Sequence, residues 1–81
     1  MNIPRIKNVF ASDHRTLIVT FDNGEVKTYD ITRLLSNDMF SPLKNQAFFK
    51  NVKVDTGGYA VYWNDRIDIS EHELWKNGYT Q

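Results

Sequence analysis

Cysteine is absent from this chain, which excludes disulfides, thiolate metal sites and thiol catalysis together. Net charge is absent as well. Ten basic and ten acidic residues cancel, removing the electrostatic footprint of a direct nucleic-acid binder. No apolar run is long enough to span a bilayer, and the opening Met1-Asn2-Ile3-Pro4-Arg5 lacks the apolar stretch of a signal peptide. These absences set the expectation of a small cytoplasmic protein with no membrane contact. Repeats and low-complexity segments are missing too. A length of 81 residues leaves room for one core, so residues 1–81 read as a single domain. What the chain does have is aromatic content, 14%, and each buried ring removes roughly 150–250 Å² from water.

Side chains alternate on both sides of Asn23-Gly24: Leu17, Val19 and Phe21 before it, Val26 and Thr28 after it. Asn-Gly accepts the positive φ angles of a two-residue type I′ turn, so a hairpin is expected here. That register sets Phe21 opposite Val26, Val19 opposite Thr28 and Ile18 opposite Tyr29. A strand over residues 6–12 would enter the same sheet through a two-residue turn at Asp13-His14. Ile6 then opposes Phe21, Phe10 opposes Leu17 and Val9 opposes Ile18. One face collects Ile6, Phe10, Leu17, Val19, Phe21 and Val26 as a core. The other is polar apart from a row of Val9, Ile18 and Tyr29.

Residues 30–36 read as a short helical segment, with Asp30 or Thr32 as N-cap. Ser41-Pro42 repeats the start signal, and residues 36–49 read as a loop with one helical turn whose aromatics pack under the sheet. A second hairpin turns at Gly57-Gly58, with Val52 opposite Trp63, Lys53 opposite Tyr62, Val54 opposite Val61 and Asp55 opposite Ala60. Ser70-Glu71-His72-Glu73 is a capping box, Ile69 and Leu74 have staple spacing, and Gly78 is placed to end the helix in the left-handed region. The expected class is α+β: a small antiparallel sheet of two tight hairpins and five short strands. Short helices follow the third strand and close the chain.

Few residues offer chemistry. Asp65, Asp68, Glu71, His72 and Glu73 form the one cluster with metal-ligand types. Its plain reading is helix capping and dipole complementation, so Asp65, Asp68 and His72 are weak metal candidates and no cofactor is expected. His14 and His72 are the only histidines and have no partner at an informative spacing. Gly57-Gly58 lacks the lysine and following helix of a phosphate loop. Tyr29, Tyr62, Lys27 and Lys53 on one face would imitate a base-stacking platform, weakened by the neutral charge. The Val9, Ile18 and Tyr29 row, with Tyr62, is the most suggestive feature, because apolar side chains grouped on an open sheet face mark interfaces; the alternative is that a helix or the segment of residues 36–49 folds over that face and the row packs internally.

Taken in order, Leu17-x-Val19-x-Phe21-x-x-Gly24-Glu25, Asp30-Ile31, Phe48 ahead of Val52-x-Val54-Asp55, Trp63, Asp68-Ile69 and Glu73-Leu74 resemble the bacterial Domain of Unknown Function 2442 family. The chain departs from that pattern at Asn64-Asp65-Arg66, where the family usually has Pro-Asn-Gly. The resemblance implies an α+β domain without an established activity or catalytic residue. It also implies a protein found alone or joined to a helix-turn-helix module, and often encoded beside another small protein in a toxin–antitoxin-like pair. The leading expectation is therefore a non-catalytic interaction or regulatory module, acting as a homodimer or with a small protein partner. A nucleic-acid-associated role through a partner is the alternative. A metal-dependent enzyme, with His72 meeting Asp65 and Asp68, comes third.

Overall fold

The computed structural model describes residues 3–80. Three strands open the chain: β1 (Ile6–Ala11), β2 (Thr16–Phe21) and β3 (Val26–Asp30). Two 3₁₀ segments, Thr32–Ser36 and Asp38–Lys44, lead into a single helical turn, α1 (Gln46–Phe49). Then come β4 (Lys53–Val54), β5 (Ala60–Tyr62), β6 (Asp68–Ser70), α2 (Glu71–Asn77) and β7 (Tyr79–Thr80). The class is α+β as expected, but the strands form two antiparallel sheets instead of one. The first has the order β1-β2-β3-β7 and the second β4-β5-β6. Two short strands, β6 and β7, lie beyond the five that the sequence suggested.

Both turns of the first sheet hold three residues instead of two. In the first, Ser12 N–H donates to the Thr16 carbonyl at 2.9 Å and Arg15 N–H donates to Asp13 Oδ1 at 2.9 Å, leaving Asp13, His14 and Arg15 as the loop. In the second, Phe21 N–H donates to the Glu25 carbonyl at 2.8 Å and Gly24 N–H to the Phe21 carbonyl at 3.0 Å. Gly24 has φ +93°, and among the described residues no non-glycine residue has positive φ. A type I′ turn needs positive φ at both central residues, so Asn23 rules it out; a type I turn closed by a glycine bulge takes its place.

One extra residue per turn moves each register by one, and a one-residue slip exchanges the faces of a strand. Val9 therefore opposes Val19, Phe10 opposes Ile18 and Tyr29 opposes Leu17. Val9 and Tyr29 join the core, while Phe10 and Val26, expected inside, turn to the outer face. A bulge between Ile6 and Asn8 absorbs the offset in β1, so Ile6 still opposes Phe21 and both Ile6 and Val9 point inward. The second hairpin keeps its expected register, Lys53 against Tyr62 and Val54 against Val61.

The core lies between the sheets, with Leu17, Val19, Phe21 and Tyr29 facing Val61 and Ile69. Phe40, Leu43 and Phe49 fill its end, as expected of that aromatic segment. Phe49 and Trp63 stack with ring centroids 6.0 Å apart, and Trp63 Nε1–H donates to the Phe49 carbonyl at 2.8 Å. That bond satisfies a buried indole and a buried carbonyl together.

The 3₁₀ segment Thr32–Ser36 has Ile31 at its start and no side-chain cap, so neither Asp30 nor Thr32 is the N-cap expected there. The next two helical starts are capped by asparagine and not by Ser41. Asn37 Oδ1 accepts from Met39 N–H, and Asn45 Oδ1 caps α1 by accepting from Phe48 N–H at 3.1 Å. Pro42 sits inside the second 3₁₀ segment, not at a helix start behind Ser41. Asp30 Oδ1 accepts from Thr32 N–H at 2.8 Å and steers the chain off β3.

In α2, Ser70 Oγ accepts from Glu73 N–H at 3.1 Å, half of the expected box. The Glu73 carboxylate is occupied elsewhere. Gly78 is extended (φ −77°, ψ 156°), so the helix does not end through a left-handed residue. A Cβ at Gly78 would meet the Leu74 carbonyl oxygen at 2.5 Å, so close approach explains the glycine. The extended Gly78 feeds directly into β7, which pairs with β3.

Candidate functional site

Alternation along the first sheet decides its surfaces. In β2, Leu17, Val19 and Phe21 are fully buried, so Thr16, Ile18 and Thr20 face outward. The registers place Phe10, Ile18, Thr28 and Tyr79 side by side across all four strands. Asn8, Thr20 and Val26 form the next row. Phe10 is 50% exposed and Tyr79 74% exposed, the two largest apolar groups of the row. These two rows carry no ionisable group except the Tyr79 phenol, although a quarter of the chain is charged. These two uncharged rows, with an aromatic at each end of the first, are the most distinctive surface of the molecule. The third row on the same face, Thr16 with Asp30, brings a carboxylate to its edge.

The sequence-derived interface residues divide among three places. Ile18 lies at the centre of this outer face. Val9, 8% exposed, and Tyr29, 2% exposed, are inside, so the Val9, Ile18 and Tyr29 row does not assemble. Phe10 and Tyr79 take their places beside Ile18. Tyr62 is half-buried on the second sheet, between Lys53 of β4 and Asp68 of β6. The base-stacking platform fails for the same reason: Lys27 Nζ lies 4.2 Å from the Trp75 ring centroid and donates to the Trp75 carbonyl at 2.6 Å. It caps the end of α2 and is not available to a ligand.

Sequence reasoning missed a polar cluster around Glu73. Tyr29 O–H donates to Glu73 Oε2 at 2.6 Å, Arg33 Nη2 to the same oxygen at 2.9 Å, and Asn77 Nδ2 to Oε1 at 3.0 Å. Three elements, β3, the first 3₁₀ segment and α2, thus converge on one carboxylate. Beside it lies a depression of about 280 Å³ lined by Tyr29, Asp30, Thr32, Arg33, Asn77 and Tyr79. Burial, then the neighbouring carboxylate, pushes the Tyr29 phenol up to about 12. The Tyr29 hydrogen bond, with help from Arg33 and Asn77, holds Glu73 below the usual glutamate range. A carboxylate so stabilised in its charged form is a poor proton acceptor. The cluster works as a brace, and no local sequence pattern announces it, since its bonded partners lie up to 44 residues apart.

At the other end of α2, the Arg5 guanidinium lies 4.1 Å from the Tyr59 ring centroid and 3.5 Å from Glu71 Oε1. Glu71 Oε2 is buried without a hydrogen-bond partner. The remaining acidic candidates do not gather. Asp65 is in the exposed turn after β5, Asp68 points outward from β6 and His72 is exposed on α2. Among the described residues, no three histidine or carboxylate side chains are placed to hold a metal ion. Neither His14 nor His72 makes a side-chain hydrogen bond among the described residues.

A family model described as "Protein of unknown function (DUF2442)" matches residues 6–80. The chain belongs to this family. In DUF2442 terms the matched span runs from the first residue of β1 to the last of β7, so both sheets, the Glu73 brace and the outer face of the first sheet all lie within it. No curated protein and no solved structure matches the chain. The described residues include no helix long and apolar enough to cross a membrane.

Proposed function

We propose that this DUF2442 protein is a non-catalytic interaction module, cytoplasmic, whose docking surface is the outer face of the four-stranded sheet. The single observation behind this reading is the row Phe10, Ile18, Thr28 and Tyr79, apolar or hydroxyl-bearing across all four strands and uncharged throughout. Exposed apolar groups gathered on one sheet face favour a partner. Depletion of charge is the compositional mark of an interface core, and aromatic anchors are enriched there. The occupant we assign is a second copy of the chain. The two uncharged rows meet their own image without a charge mismatch, Asp30 lying outside them at the edge of the face, and a chain of zero net charge has no self-repulsion to overcome.

Three strands presenting about five residues each and the two-residue β7, spaced about 4.8 Å apart, give a flat area of roughly 270 Å². A standard interface buries about 800 Å² per partner. The expected association is therefore weak, with a dissociation constant on the order of 100 μM or higher. Sedimentation equilibrium from micromolar to millimolar concentration tests this, with Ile18→Glu as comparison. The wild-type chain is expected to shift toward dimer and Ile18→Glu to remain monomeric with unchanged thermal unfolding. A wild-type chain that stays monomeric at millimolar concentration overturns the assignment of a second copy. A small protein partner on the same face would then be the occupant to seek.

A further inference from the structure

We propose that Asn23 is a site of spontaneous backbone-directed deamidation in the folded protein, while Asn77, the other asparagine followed by glycine, is protected. Glycine after asparagine leaves the backbone nitrogen unhindered, and the sequence has two such pairs, Asn23-Gly24 and Asn77-Gly78. In the reaction Gly24 N loses its proton to hydroxide and attacks Asn23 Cγ. The Cγ–Nδ2 bond then breaks and nitrogen leaves as ammonia after taking a proton from water. Water next opens the five-membered imide at either carbonyl, giving aspartate or isoaspartate. The balance is one side-chain amide and one water converted to one carboxylate and ammonium, with no change of oxidation state.

The two sites share one cost and differ in another. Gly24 N–H donates to the Phe21 carbonyl and Gly78 N–H to the Leu74 carbonyl, each at 3.0 Å. Freeing the nucleophile therefore takes a comparable opening at both. The side chains are held differently. Glu25 N–H donates to Asn23 Oδ1 at 3.0 Å, which folds the side chain forward over the Gly24 amide. The same donor faces the oxygen on which negative charge develops as Gly24 N adds to Cγ, the arrangement that stabilises an oxyanion. Asn77 Nδ2 instead donates to Glu73 Oε1 at 3.0 Å, which draws its side chain back along α2 and fastens the leaving group to a carboxylate. Asn23 is exposed at a hairpin tip, whereas Asn77 is half-buried.

The product places a carboxylate beside Asp22 and gives the neutral chain one net negative charge. In the isoaspartate form an added backbone methylene lies inside the turn that sets the β2–β3 register.

The folded 81-residue chain, incubated in mildly alkaline buffer at physiological temperature with and without denaturing urea, supplies the test. Peptide mapping by mass spectrometry locates the exchange of amide nitrogen for oxygen, and anion exchange follows the added charge. In the folded chain, conversion at residue 23 is expected to run roughly tenfold or more ahead of residue 77, from the differing support of the oxyanion. In urea the two rates should come together. Asn23→Gln should abolish the native charge shift and Asn77→Gln should leave it unchanged. Equal native rates at the two sites, or conversion at residue 23 appearing only in urea, would overturn the proposal.

Discussion

Replacing Tyr29 by phenylalanine removes one oxygen from the Glu73 brace and nothing else. The ring keeps its place in the core, where the residue is 2% exposed. The lost bond is a short, charge-assisted one, 2.6 Å to Glu73 Oε2, of a kind that contributes about 1.5–3 kcal/mol. Glu73 is not orphaned, since Arg33 and Asn77 still donate to it at 2.9 and 3.0 Å. The expected loss is therefore at the low end, about 1–2 kcal/mol at neutral pH. For a domain of this size that lowers the melting temperature by roughly 4–16 °C.

The pH dependence carries the sharper signature. The Tyr29 phenol rises from 10.0 to about 12 on folding, so the fold favours its neutral form. The stability so gained is complete below pH 10 and is lost as pH climbs toward 12, a swing on the order of 2 kcal/mol. Glu73 is shifted the other way, below 4.5. Its contribution is present above that value and is lost as pH falls through the lowered pKa. The difference between wild type and Tyr29→Phe should form a plateau between about pH 5 and 10 that shrinks at both ends. Urea unfolding followed by tryptophan fluorescence across that range measures it. A difference that is absent at pH 7, or that stays flat from pH 7 to 12, would refute the brace.

Three further outcomes follow from the packing. Gly78→Ala should cost about 1–3 kcal/mol, because its Cβ would lie 2.5 Å from the Leu74 carbonyl oxygen and either α2 or β7 must shift; chemical denaturation reads the loss. Trp63→Phe should cost at least about 2 kcal/mol, combining lost volume with a Phe49 carbonyl left without its indole donor; the same titration, followed through Trp75, measures it. Glu71→Gln should be neutral or stabilising by up to about 1 kcal/mol, since Oε2 is buried without a partner and the ion pair to a half-exposed Arg5 spans 3.5 Å; a clear drop in melting temperature would contradict this.

Much of the fold was legible because its signals are local. The second hairpin keeps its register, the aromatics of residues 36–49 pack under the sheet, and Ser70 caps α2. The first two turns were located correctly but given the wrong length. Asp22-Asn23-Gly24 serves a three-residue type I turn with a glycine bulge as readily as Asn23-Gly24 serves a two-residue type I′ turn. Nothing in β2 arbitrates, because Leu17, Val19 and Phe21 face inward either way. The neighbouring strands carried the consequence. Val9 and Tyr29 were expected outside beside Ile18, yet Phe10 and Val26 are the residues that face out. The aspartate ahead of Asn23-Gly24 was the available hint, as was Asp13 in the first turn, which closes the loop through Arg15 N–H. The Glu73 brace had no such hint. Its contacts are set by how α2 returns to β3, a tertiary fact that side-chain spacing along the chain does not encode.

The docking face is tested most directly by amide and methyl chemical shifts of the isotope-labelled protein in a dilution series from millimolar to micromolar concentration. Concentration-dependent shifts confined to Phe10, Ile18, Val26, Thr28 and Tyr79, and absent in Ile18→Glu, are the predicted result. Spectra that do not change with concentration, or shifts centred on the second sheet around Tyr62, would contradict it.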